Sequence, residues 1–544
     1  MLDIEKKTGA FVRQAAILIV ASLLVRLLGF MYRLPLTHFI GDEGNAFYVS
    51  AYTIYTFGLV ISFGAALTAA ISRLTSERLA LGQYRNAFEL FKSAMLFSAV
   101  SGIIVALFLF FGADGIVRGF GLSWLQPVLS FPDETAVSIR AIAPGIFLVA
   151  ILVSFRGFFM GMKTAVPTAV SQVVEQIFKV AFSVFLAYLF LDAADLRYAA
   201  AGAAAGTVIG VFAALVVVVV FFIKKAQPMV KKAREDTASI SFETRFYQIK
   251  RLFFTALPIV VGLGLVSFAN ILDLSMSRNR LLASGAFTSS EIYALIGQFS
   301  AKFILLTTLP VSLSIALSSA VIPEITSSSV EMDTGAIKKK TNMALRLSMA
   351  LSIPAAVGLT VLADPIIILL FPSHPEGGLL LRYGASSIIF LAMVQVISGV
   401  LHGLGHMWLP AICTFFGLLV KIPLNYFLLV IPSVNILGAV ISTIACFAVA
   451  ACALLVFLYK KTGILPDLRS AFLKPFIASV VMGVVCFFSY TAARMIFQNS
   501  ASVIFAVILG FLSYMLMLSL TGGLHAGDFE ALPIPHKIRR LLNI

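Results

Sequence analysis

The sequence predicts an all-α polytopic membrane protein: fourteen transmembrane helices in two six-helix lobes, related by an approximate two-fold along the membrane normal, plus two C-terminal helices. Three observations predict it. Apolar residues make up 60% of the 544 positions, with Phe alone at 48, while Asp, Glu, Lys and Arg supply only 12%, against a usual charged share of about 25%. Fourteen apolar runs are long enough to cross a bilayer core of about 30 Å. The second half of the chain repeats a pattern of the first. Forty basic and 25 acidic side chains cannot solubilise so much apolar surface, so the bilayer must do it. Disorder, a nucleic-acid-binding domain and a disulfide scaffold are excluded at the same step.

The runs fall at 12–34, 46–71, 87–111, 137–159, 167–190, 199–223, 252–275, 291–319, 341–363, 379–401, 408–430, 436–459, 472–496 and 501–520. Arg26 interrupts the first. Met1–Ala10 is polar and no small-residue cleavage site follows a short apolar core, so the first span is expected to be retained. Cys413, Cys446, Cys452 and Cys486 all lie in apolar runs, none in a CxxC pair. They read as small hydrophobes.

Basic residues orient the spans. With the N-terminus cytoplasmic, the cytoplasmic segments carry 28 Lys and Arg, the outer segments 8, and four (Arg26, Lys179, Lys302, Lys421) lie within spans. Both termini are then cytoplasmic. The net charge of +15 is mainly topology and contact with anionic membrane lipids; no basic folded surface suits a nucleic-acid partner. The division expected is 1–223 for the first lobe, 224–251 for a basic linker, 252–460 for the second lobe, and 461–544 for the last two spans and the tail.

The repeat is carried by ordered matches. Ala66-Leu-Thr-Ala-Ala70 returns 250 residues later as Ala316-Leu-Ser-Ser-Ala320, and Asp114 meets Asp364 at the same offset. Arg140 with Arg382, Gly157 with Gly399, Gly161 with Gly403 and Lys179 with Lys421 follow at 242. Six spans repeated in the same orientation leave a cavity between lobes, the layout of a carrier.

Ionisable groups inside spans are costly and face protein or water. Arg26, Gly29, Phe30 and Arg33 share one face of the first span. Arg26 lies deep, whereas Arg33 is also placed to snorkel to the outer interface. Gln172, Glu175, Gln176 and Lys179 form a stripe on the fifth span, with Glu175 and Lys179 spaced for an i,i+4 ion pair. Asn270 and Asp273 lie on the seventh span, Gln298 and Lys302 on the eighth, Lys421 and Asn425 on the eleventh. Arg26, Arg33, Lys179, Lys302 and Lys421 outnumber Glu175 and Asp273. Such a cavity attracts an anion and repels organic cations, and guanidinium groups clamp phosphate. A lipid phosphate headgroup is a natural candidate for the anion, because its tail can stay in the bilayer. Arg26, Arg33, Lys179 and Lys302 are the candidate headgroup residues; Gln172, Glu175, Gln176, Gln298 and Lys421 are the candidate polar wall.

Proline and glycine suit helices that bend: Pro258 with Gly262 and Gly264 makes the start of the seventh span a candidate bend. Walker, HExxH, phosphate-loop and serine-elbow motifs are absent, and the six histidines form no ligand set. The expectation is transport without enzymatic chemistry or a cofactor.

Arg156-Gly-Phe-Phe-Met-Gly161, followed by Pro167-Thr-Ala-Val-Ser-Gln-Val-Val-Glu-Gln176, resembles the membrane polysaccharide-biosynthesis and stage V sporulation protein B-like proteins. These belong to the superfamily of multidrug, oligosaccharidyl-lipid and polysaccharide exporters, which also contains the lipid II flippases. Arg26-Leu-Leu-Gly-Phe-Met-Tyr-Arg33 is similar to the first-span arginine pattern of those flippases. The resemblance spans essentially the whole chain. It implies a bacterial cytoplasmic-membrane protein, acting as a monomer, that exports an anionic polyprenyl-pyrophosphate-linked glycolipid by alternating access, with Arg26 and Arg33 at the pyrophosphate. It also implies ion coupling: some relatives hold sodium with groups on the seventh and eleventh spans, which directs attention to Asn270, Asp273 and Asn425. Lys421, one turn from Asn425, would compete with a cation there, so sodium, proton and membrane-potential coupling all stay open. A drug-cation antiporter would need acidic dominance in the cavity. A membrane-embedded glycosyltransferase would need convergent carboxylates near an outer loop, for which Asp114 with Glu134 is the candidate.

Overall fold

The structure, a computed structural model, describes residues 21, 24–25, 27–29, 31–119, 131–162, 164–193, 195–225, 243–330, 332–464, 466–467 and 469–522. Among them every regular element is helical. By packing the chain divides into two compact units, Met1–Ala301 and Lys302–Ile544. The first holds α1 (Arg33–Ile61), α2 (Gly64–Ala80), α3 (Tyr84–Val117), α4 (Thr135–Ile142), α5 (Pro144–Gly161), α6 (Val166–Ala193), α7 (Leu196–Lys225), α8 (Arg245–Ala283) and α9 (Ser289–Gly297). A π-helical stretch, Gln298–Phe303, leads into α10 (Ile304–Val330). The second unit continues with α11 (Thr334–Val361), α12 (Ala363–Leu370), α13 (Gly378–Gly384), α14 (Ser387–Gly403), α15 (Leu409–Leu428), α16 (Leu437–Thr462), α17 (Lys474–Arg494) and α18 (Asn499–Leu520). Packing thus places α8 and α9, which cover the seventh span and the start of the eighth, in the first unit, where α8 contacts α1, α2 and α3.

Among the described residues twelve helical runs are long and apolar enough to cross a membrane, thirteen if α13 and α14, bent by 51°, form one span. The first run, Leu27–Leu79, has 53 residues and folds back on itself. Gly41 sits at φ 62, ψ −172 inside α1. The hydroxyls of Tyr32 and Tyr48 lie 3.0 Å apart, although sixteen residues of straight helix would span about 24 Å. The Asn45 amide likewise donates to Thr37 Oγ1 at 3.0 Å and to the Gly41 carbonyl at 2.7 Å. The chain therefore reverses at Gly41. Pro258 lies inside an unbroken α8, so this proline does not interrupt the helix.

The repeat has a physical counterpart in each unit. Arg140 pairs with Asp114, and the matching Arg382 pairs with Asp364. A methyl group at Gly157 would come within 2.9 Å of the Thr68 carbonyl, and one at Gly399 within 2.9 Å of the Ser318 carbonyl. Thr68 and Ser318 are themselves matched positions. Small residues are thus kept where two helix backbones nearly touch.

Each unit has its own apolar core. Leu67, Ile71, Phe91, Phe158 and Leu252 anchor the first; Ile353, Val396, Val400 and Leu454 anchor the second. The last two helices pack on α11, where Tyr514 donates to the Ala350 carbonyl at 2.6 Å. Phe111, Phe487, Phe488 and Phe511 face outward, as the bilayer requires. At the start of α8, the buried Arg78 guanidinium grips Glu243, Arg251 pairs with Glu77 at 2.7 Å, and Ser93 donates to Gln248 at 2.7 Å.

Candidate anion-binding site

Two basic groups of the first unit, Arg33 and Lys179, meet where the Gly41 reversal, α1 and α6 come together. Lys179 projects from α6, and its backbone is set by α7. A methyl group at Gly210 would lie 2.9 Å from both the Cβ and the amide nitrogen of Lys179. That approach needs glycine, and it fixes the height at which Lys179 leaves the helix. The side chain is buried, with 7% exposure. Its ammonium lies 4.2 Å from the centroid of the Tyr52 ring and 5.8 Å from that of Tyr32.

Arg33 comes to the same rings from the other arm of the reversal. Its guanidinium carbon is 5.7 Å from the Tyr32 centroid and 5.2 Å from that of Tyr48. Its buried Nη1 has no hydrogen-bond partner among the described residues. Tyr48 and Tyr52 stack at 6.0 Å, and Tyr55 continues the row at 5.8 Å. Arg33 and Lys179 therefore flank one aromatic wall, and among the described residues neither forms an ion pair with a carboxylate.

The expected i,i+4 pair of Glu175 with Lys179 is not formed. Glu175 instead accepts from Arg156 of α5 at 2.7 Å, and Arg156 also donates to Ser171 Oγ at 2.9 Å. An arginine from the neighbouring helix offers the carboxylate a planar fork, while Lys179 is drawn to the ring faces. Gln176 fills the gap beside Gly29, its Nε2 lying 3.1 Å from where a methyl group there would sit. Gln172 is half-buried, and its Oε1 has no partner among the described residues. Arg26 lies outside the described residues.

The remaining candidates belong to other surroundings. Lys302, fully buried in the π-helical stretch, donates to the carbonyls of His374 at 2.7 Å and Glu376 at 3.0 Å. Its ammonium thereby holds the loop between α12 and α13. Gln298, in the same stretch, is half-buried. Lys421 and Asn425 are buried together on α15 against α16: Lys421 donates to Thr443 Oγ1 at 3.2 Å, and Asn425 accepts from Ser442 Oγ at 2.5 Å. Asp273 is buried on α8, whereas Asn270, three residues before it, is exposed. No group of three His, Cys, Asp or Glu side chains converges among the described residues. Asp114, half of the carboxylate pair that an enzyme reading would use, is taken by Arg140.

Tyr32, Tyr48 and Tyr52, which line these cations, and the Arg156 partner of Glu175 are contacts that charge-based reading of the spans missed. Tyr48, Tyr52 and Tyr55 do carry a helical signal, at spacings of four and three on one face. Nothing in the spacing says that cations will cover that face.

Comparison with known proteins identifies the architecture. Residues 11–329, more than half of the chain, match the family described as polysaccharide biosynthesis protein. The chain belongs to that family. Residues 285–427 also match the MatE family, which agrees with a place in the superfamily of multidrug, oligosaccharidyl-lipid and polysaccharide exporters. Among curated proteins, the lipid II flippase MurJ of Bacillus subtilis (strain 168) is 26% identical over 447 residues, 80% of each chain. Stage V sporulation protein B of the same organism is 24% identical over 496 residues, 90% of this chain and 91% of that one. Among solved structures, a lipid II flippase MurJ in an inward closed conformation superposes with a TM-score of 0.65 at 16% identity, covering 92% of this chain and 98% of that one. This member of the polysaccharide biosynthesis family is thus a multi-span membrane protein with the fold of that flippase.

Proposed function

We propose that the protein is a flippase that carries a polyprenyl-pyrophosphate-linked saccharide from the inner to the outer leaflet by alternating access. The observation that carries this reading is the placement of Arg33 and Lys179 on one aromatic wall with no carboxylate among the described residues to neutralise them. A positive pair of this kind, Lys179 buried and Arg33 half-buried, suits a pyrophosphate, whose oxygens accept from both groups. The likeness to a lipid II flippase over most of both chains supports the class of cargo. Arg26 joins the headgroup set by its place on the same span, and Lys302 serves by holding its loop.

The membrane potential, negative inside, draws an empty positive site back toward the cytoplasm at about 2.3 kcal/mol per charge per 100 mV. A bound pyrophosphate cancels that charge for the outward step. In this reading coupling needs no sodium at Asn425, since Lys421 shares its helix face. The protein works as a monomer in a bacterial cytoplasmic membrane with both termini inside, the arrangement that the basic loops favour.

The MatE match supports one competing reading, an exporter of organic cations. Proteoliposomes separate the two. A labelled polyprenyl-pyrophosphate saccharide is expected to cross with native protein and to slow about tenfold or more in Arg33→Ala, Lys179→Ala and Arg26→Ala, the loss for about 1.4 kcal/mol. Transport of a cationic dye with no movement of the lipid would replace this reading with the competing one.

A further inference from the structure

The tyrosines that surround the two cations do more than fill space. A buried lysine such as Lys179, with a half-buried arginine beside it, normally needs a carboxylate partner, because an uncompensated charge at low dielectric is strongly unfavourable. Here the ring faces take that place: Tyr52 lies under Lys179 at 4.2 Å, Tyr48 under Arg33 at 5.2 Å, and Tyr32 between them at 5.8 and 5.7 Å. The rings are held as a set, with Tyr48 stacked on Tyr52 and the Tyr32 and Tyr48 hydroxyls bonded to each other at 3.0 Å. An aromatic face attracts a cation through its quadrupole and leaves its formal charge in place. A carboxylate would cancel that charge and compete with an incoming anion.

We infer that Tyr52 and Tyr48 are positioning residues that keep Lys179 and Arg33 charged, apart and available in the empty site. They act as uncharged placeholders for an anionic ligand. The Nη1 of Arg33, unpartnered among the described residues, and the diversion of Glu175 to Arg156 are what such a device requires. The inference deepens the flippase reading, since it assigns the tyrosines to the same headgroup site. Two consequences follow for substitution. Tyr52→Phe keeps the ring face and should behave as native, whereas Tyr52→Leu keeps apolar volume and loses the face.

The test has one arm without ligand and one with it, both on the full-length protein in nanodiscs. In the first, thermal unfolding is measured for Tyr52→Leu in the native background and in Lys179→Met. A loss of melting temperature that appears with lysine and vanishes with methionine, and that Tyr52→Phe does not show, supports the inference. Equal losses in both backgrounds, or equal losses for Phe and Leu, overturn it. In the second arm, binding of polyprenyl pyrophosphate without sugar is expected to weaken about fivefold to tenfold in Tyr52→Leu and less than twofold in Tyr52→Phe. Indifference of binding to Tyr52→Leu overturns the inference. Should native protein not bind this lipid at all while the first arm shows the coupling, the tyrosine assignment stands and the flippase reading falls.

Discussion

The guanidinium of Arg156 holds Glu175 at 2.7 Å and thereby leaves Lys179 to the tyrosines. Removing it has a consequence at a distance. In Arg156→Ala, Glu175 is free to turn along α6 to Lys179, four residues away, in the order that favours an ion pair. The site loses one positive charge. Binding of polyprenyl pyrophosphate is expected to weaken about tenfold, the loss for about 1.4 kcal/mol, and Arg156→Ala with Glu175→Gln should restore most of it. A double variant no better than the single one would show that Glu175 does not compete for Lys179. The polar stripe from Gln172 to Lys179 is visible in the sequence as a helix-face pattern, because spacing along one helix fixes which residues are neighbours. The partner of Glu175 was not, because Arg156 sits on another helix and spacing says nothing about which of two cations wins.

At the scale of elements, the site depends on a reversal. Gly41 at φ 62, ψ −172 occupies backbone space that side-chain-bearing residues rarely enter, at a cost of order 1–3 kcal/mol for them. Gly41→Ala is therefore expected to lower the melting temperature of the protein in nanodiscs and to weaken lipid binding, because the Tyr32–Tyr48 contact spans that turn. An unchanged melting temperature would mean that the reversal tolerates a Cβ. The apolar runs put the first two spans at 12–34 and 46–71, with a connection between them. Hydropathy finds lengths of chain that suit a bilayer, but the helix continues to Gly41, where the Asn45 amide donates back to Thr37 Oγ1. The same limit explains the break at Ser62–Phe63, where the backbone leaves the helix within an apolar run.

Over the whole molecule, the repeat was legible because the same packing problem is solved twice. Asp114 with Arg140 and Asp364 with Arg382 pair alike, and Gly157 and Gly399 admit matched carbonyls. What the repeat did not foretell is that the two copies use their buried lysines differently. Lys179 faces aromatic rings, whereas Lys421 donates to Thr443 beside Asn425. Lys302, read in the sequence as one more cation for the headgroup, is bonded to backbone carbonyls, a partner that composition cannot reveal. In the proposed mechanism, capture of the anion thus narrows to two side chains in the first unit, Arg33 and Lys179. Equilibrium binding of a polyprenyl pyrophosphate to native protein and to the Arg33→Ala, Lys179→Ala double variant tests it most directly. Two lost charge-assisted hydrogen bonds, at about 1.5–3 kcal/mol each, predict a loss of affinity of at least about a hundredfold in the double variant. Equal affinity in the two proteins, with both folded, would contradict the account.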